Sequence, residues 1–239
     1  MPSDTLLAAM LQEAVLALVA LVAVRFAVPD VLKRCTQAVQ QRNTVRFAAI
    51  TLLLVGLVGG AITLLAWLFS GGGTMACFAS TALPSTVDLM ENLLLLLGIC
   101  LLTGLYEEAF MRVLGIEAFE RALDTKRAIL ASAALFALLH VGAPDVSAGQ
   151  LVLLQTALKF GQALLFGVIL GALYARTRRL WPCAFIHAGF DILYMAPNVL
   201  LTGTMPETYA SGAVGDTVLL AVSVLMLSGI VLKICKEIA

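Results

Sequence analysis

The chain has 239 residues, of which 61% are hydrophobic and only 13% charged, with a formal net charge of zero and a mean hydropathy of +1.01. Soluble domains are roughly half apolar and a quarter charged, so this composition excludes an ordinary soluble globule, and the lack of a basic excess argues against nucleic acid as a partner. Several runs reach the roughly 20 apolar residues that span a bilayer, and they are spread over the whole sequence. Residues 1–239 therefore read as one all-α domain, a polytopic membrane helical bundle of about seven transmembrane helices in contact with lipid.

Helical segments are expected at 5–28, 46–70, 88–118, 128–142, 149–177, 180–200 and 214–234. The first carries Gln12 and Glu13, has Arg25 in its last turn and ends before Pro29. No basic residue precedes its apolar run and no small-residue cleavage site follows, so it is expected to be a retained span and not a signal peptide. Lys33, Arg34, Arg42 and Arg46 then make a short basic connection. The second segment, rich in Leu, Val, Ala and Gly, leads to Gly71-Gly72-Gly73-Thr74, where glycines end a helix and open a loop.

Basic and non-basic connections alternate from there on. Arg121, Lys126 and Arg127 follow the third segment, none occurs in 141–150, and Arg176, Arg178 and Arg179 follow the fifth; none occurs in 201–213, and Lys233 and Lys236 close the chain. The positive-inside rule then gives an outside N-terminus, a cytoplasmic C-terminus and seven crossings. The fourth segment is short for a full crossing, which a helix beside a water-filled cavity tolerates. The five cysteines are scattered without a C-x-x-C pair and read as small apolar residues. Glycine-rich phosphate loops, G-x-S-x-G and H-E-x-x-H are absent.

Among the basic residues, only Arg112 and Lys159 fall more than a turn inside an expected span. Arg112 closes the stretch 104–112, Gly-Leu-Tyr-Glu-Glu-Ala-Phe-Met-Arg. On a helix Glu108 and Arg112 are four apart and can pair, whereas Glu107, about 100° round the axis, has no arginine opposite it. An ionisable group near the middle of a membrane helix costs roughly 2.5–3.5 kcal/mol, so such groups mark functional sites. The plainer alternative is a solvated helix end.

Both histidines also lie in apolar helices, as Phe136-Ala-Leu-Leu-His140 and His187-Ala-Gly-Phe-Asp191. A lone histidine in a membrane helix is often an interhelical hydrogen-bond donor. Depth separates the readings: at 1.5 Å per residue from the basic helix ends, Glu107, His140, His187 and Asp191 all fall about 12–20 Å into the bundle. A site assembled from three helices requires that coincidence.

Glu107-Glu108-x-x-x-Arg112, Phe136-x-x-x-His140 and His187-x-x-x-Asp191, in this order, resemble the three-motif signature of the CAAX-processing and bacteriocin-processing (CPBP, ABI) intramembrane proteases, which include the eukaryotic CAAX prenyl endopeptidase. The resemblance covers about 104–195, within an expected catalytic core at about 88–200. It implies an intramembrane endopeptidase acting on a membrane-associated protein or peptide precursor. In it Glu107 and His140 activate water, His187 and the residue at 191 stabilise the tetrahedral intermediate, and Glu108 and Arg112 are structural.

The residues suit that chemistry, since peptide hydrolysis needs a base for water, donors for the oxyanion and a proton for the leaving amine. One position departs from the pattern: characterised members often have asparagine where this chain has Asp191. An ionised aspartate has no amide N–H to offer an oxyanion. Asp191 therefore either holds His187 in its charged form or joins Glu107, His140 and His187 in a zinc ligand set. The metal-free reading is preferred, with no cofactor, because a four-ligand zinc site is usually closed and structural.

Lys159, with Gln155 and Gln162 on one helix face, pairs with Glu13 or Glu91 or else binds substrate. Two other functions compete with the protease. A proton-coupled transporter would also place ionisable groups inside helices, but the chain lacks two similar halves with paired broken helices. A non-catalytic immunity or scaffold protein would have no need of the intact acid and histidines. The short, Ala- and Leu-rich chain suggests a bacterial inner membrane; the substrate's identity is not encoded in these features.

Overall fold

The computed structural model describes residues 2–30, 42–68, 84–141, 147, 149–205 and 210–238. Among them are seven helices and no strand: α1 (Pro2–Ala27), α2 (Arg42–Leu68), α3 (Thr86–Phe119), α4 (Thr125–Val141), α5 (Gln150–Thr177), α6 (Leu180–Thr202) and α7 (Val214–Ile238). Each corresponds to one expected segment. Helices α1, α3, α5, α6 and α7 are long and apolar enough to cross a membrane; in α2 the apolar stretch is the shorter Arg46–Ile62, and α4 has 17 residues. Lys33, Arg34, the 71–74 glycine loop and most of the 141–150 connection lie outside the described residues.

The outer faces of the bundle are apolar and open, with Leu53, Leu139 and Leu225 each more than half exposed. Such faces suit a bilayer, where the surrounding solvent is as apolar as leucine. The chain is an integral membrane protein.

Local chemistry sets the helix ends. Ser85 caps α3 by accepting from the Asp88 N–H at 3.2 Å, and the Asp124 carboxylate accepts from the Arg127 N–H at 2.9 Å at the start of α4, each satisfying an amide that the first helical turn leaves unpaired. Helix α5 stops where Arg178 takes the left-handed conformation (φ 50°), and α6 begins two residues later. Arg178 also binds Glu120 through Nη1 at 2.6 Å and Nη2 at 2.8 Å, tying the end of α5 to the turn after α3.

Helix α3 is central and packs on α1 and most extensively on α6, while α4 packs on α5, α5 on α7 and α2 on α6. Gly104 permits the α3–α6 approach: a Cβ there would lie 2.6 Å from the Ala184 carbonyl oxygen and 3.1 Å from the Ala188 nitrogen. Just beyond it, Ala109–Ile116 widens to π-helix, a form common at functional sites. The Ser132 hydroxyl of α4 donates to the Met111 carbonyl within that stretch.

Candidate active site

Three helices bring the six singled-out residues together. Glu108 and Arg112 form the expected pair, with Arg112 Nε 2.9 Å from Glu108 Oε2, and both side chains are fully buried. The guanidinium also donates to Ser132 Oγ at 3.3 Å and lies over the Phe136 ring, 4.8 Å from its centroid. A buried pair needs such additional partners to offset desolvation.

The other Glu108 oxygen reaches α6, where Oε1 is 2.9 Å from His187 Nδ1. Asp191 stands on the far side of the same ring, Oδ2 3.5 Å from Nε2, beyond the 2.7–3.2 Å of an ordinary N–H···O bond. The closer partner of His187 is thus Glu108, which links the Arg112 pair to His187 as well as closing it. Phe136 and Phe166 meet the imidazole edge to face, at centroid distances of 5.9 and 5.1 Å.

Glu107 sits between the two histidines. Its Oε1 accepts from the Tyr106 hydroxyl at 3.1 Å, and its Oε2 is 3.5 Å from His187 Nε2 and 3.8 Å from His140 Nε2. Among the described residues that Oε2 is buried without a hydrogen-bond partner. His140 Nδ1 lies 2.9 Å from the Phe136 carbonyl; a carbonyl only accepts, so Nδ1 carries the proton and Nε2 keeps its lone pair in the neutral ring. Phe136 supports the ring by contact, 4.1 Å between centroids.

Two cavities adjoin the cluster. One, of about 340 Å³, is lined by Tyr106, Glu107, Phe110, Met111, Leu139 and His140, among others. The second, of about 40 Å³, is bordered by His140, Lys159, His187 and Asp191, enough for water at polar walls. Lys159 Nζ donates to Gln162 Oε1 at 3.0 Å and lies 5.9 Å from the Tyr194 ring centroid. The two glutamines fasten α5 to α7, Gln155 through Ala213, Thr217 and Gly212 and Gln162 through Ser223. Glu13 is hydrogen-bonded to Thr103 of α3.

Tyr106 and Ser132 were not singled out from the sequence. A hydroxyl in an otherwise apolar helix was the only signal for either. As arranged, no group of three or more His, Cys, Asp and Glu side chains among the described residues is placed to hold a metal ion.

This is a helical membrane protein whose core gathers two glutamates, two histidines and an aspartate. A family model described as type II CAAX prenyl endopeptidase Rce1-like matches residues 89–193, a stretch that contains these five residues and Arg112. That segment of the chain is similar to the type II CAAX prenyl endopeptidases, the resemblance the three motifs carry. No match was found among curated proteins or among solved structures.

Proposed function

We propose that this chain is an intramembrane endopeptidase whose base is Glu107. The observation that carries the reading is the buried, unpartnered Glu107 Oε2 with two imidazole Nε2 atoms 3.5 and 3.8 Å away. Water between Glu107 and His140 can donate to the carboxylate and to the His140 Nε2 lone pair, which orients its oxygen toward a carbonyl carbon. As that oxygen attacks, Glu107 takes the proton. The carbonyl oxygen becomes an oxyanion facing His187, which in its charged form, held by Glu108 and Asp191, donates through Nε2–H. When the C–N bond breaks, Glu107 returns its proton to the leaving amine, the second water proton stays on the attacking oxygen, and the products are a carboxylic acid and an amine.

The apolar walls of the 340 Å³ cavity suit an extended segment of a membrane-associated protein or peptide. Zinc chemistry on Glu107, His140, His187 and Asp191 is the alternative, and the route above uses no metal. The orientation we propose, N-terminus outside and C-terminus cytoplasmic in a bacterial inner membrane with seven crossings, rests on the basic connections; a reporter fused after Arg179 should read cytoplasmic and one after Gly203 external, and the reverse would invert it. The function is tested by comparing the termini of membrane proteins in cells making the native chain and its Glu107→Ala form. Cleavage products found only with the native chain are expected; identical sets of termini would contradict the proposal.

A further inference from the structure

A cavity near the helix ends is remote from the acid and histidine cluster. It has a volume of about 540 Å³ and opens between α2, α5 and α7. Its floor is apolar and buried, made of Phe47, Ile230 and Ile234. Its rim is cationic, with Arg46 from the start of α2, Arg176 from the last turn of α5 and Lys233 from the end of α7, all exposed. Among the described residues no carboxylate lines it. Thr51 also lines it, but its hydroxyl is turned back onto the Phe47 carbonyl at 2.8 Å, which leaves the recognition chemistry to the three cations. The Arg176 guanidinium lies over the Phe47 ring, 4.1 Å from the centroid, a stacking that fixes its plane.

Three helices thus converge positive charge at one level, the end at which basic residues gather along the whole sequence. An apolar floor running into the bundle lies directly beneath. A soluble anion would use the rim and gain nothing from the floor, whereas a phospholipid uses both: phosphate at the arginines and lysine, acyl chains along Phe47 and the isoleucines. Basic pockets between transmembrane helices at such an interface are suited to anionic head groups. We infer that the cavity between α2, α5 and α7 is a binding site for an anionic glycerophospholipid, independent of the proteolytic reading.

The test is native mass spectrometry of the full chain released from bilayers containing equal amounts of phosphatidylglycerol and phosphatidylcholine. The native protein should retain phosphatidylglycerol preferentially. Arg46→Gln/Arg176→Gln/Lys233→Gln should lower that retention at least tenfold, whereas the matched triple Arg121→Gln/Lys126→Gln/Arg127→Gln should not, and Arg46→Lys/Arg176→Lys should keep most of it. Equal retention of the two lipids, equal loss in both triple variants, or displacement of the lipid by millimolar inorganic phosphate or glycerol phosphate would each overturn the inference. Displacement would instead indicate a site for a soluble anion.

Discussion

Glu108 Oε1 lies 2.9 Å from His187 Nδ1 while its Oε2 lies 2.9 Å from Arg112 Nε, so one buried carboxylate joins an arginine of its own helix to a histidine 79 residues away. Glu108→Gln should therefore do two things. It should lower stability by roughly 3–5 kcal/mol, since removing one side of a buried pair leaves an uncompensated charge on Arg112. It should also abolish cleavage, because His187 loses its closer carboxylate. Thermal unfolding in detergent checks the first effect and product formation the second; a variant as stable as the native protein would contradict the role given to the pair.

Asp191 is the more distant partner of His187, at 3.5 Å, and an asparagine of the same shape can still accept from Nε2–H or offer its own N–H. Asp191→Asn should retain substantial activity, at least a tenth of native turnover, and purified protein should carry no stoichiometric zinc by elemental analysis. Activity lost on chelation and restored by zinc alone would replace the water-activating role of Glu107 and His140 with a metalloprotease mechanism.

At the other end of α3, hydrogen bonds from Arg178 hold the Glu120 carboxyl below the usual glutamate range. A group depressed in the folded state adds stability that is fully present above its unfolded value, roughly 4.3, and that is lost as pH falls through the lower folded value. Arg178→Gly removes the pair while suiting the left-handed backbone at φ 50°. The difference in melting temperature between native and Arg178→Gly should be constant above about pH 5 and shrink on acidification. A difference independent of pH would show that the pair adds nothing.

What the sequence could reveal depended on whether a relationship ran along one helix or between helices. The seven segments and the Glu108–Arg112 pair follow from hydrophobic run length and i,i+4 spacing. Depth counted from basic ends placed Glu107, His140, His187 and Asp191 in one layer. Rotation about each helix axis is not encoded in spacing, so the Glu108–His187 contact, the Tyr106 hydroxyl on Glu107 and the docking of Gln155 and Gln162 onto α7 were beyond reach. Gly104 shows why: its missing side chain matters only because the Ala184 carbonyl would lie 2.6 Å from a Cβ, a fact about two helices at once. The π-helical stretch at Ala109–Ile116 also has no signature in the hydrophobic pattern.

The central claim is that Glu107 is the base, and the direct measurement is the cleavage rate of Glu107→Gln on a membrane substrate of the native protein, at matched folding. The substitution keeps the shape and the Tyr106 contact while removing the group that takes the proton. The account predicts an unchanged melting temperature within a few degrees and a rate lowered by the roughly 10²–10⁴-fold that general-base catalysis contributes, or more. Turnover equal to that of the native protein would contradict it.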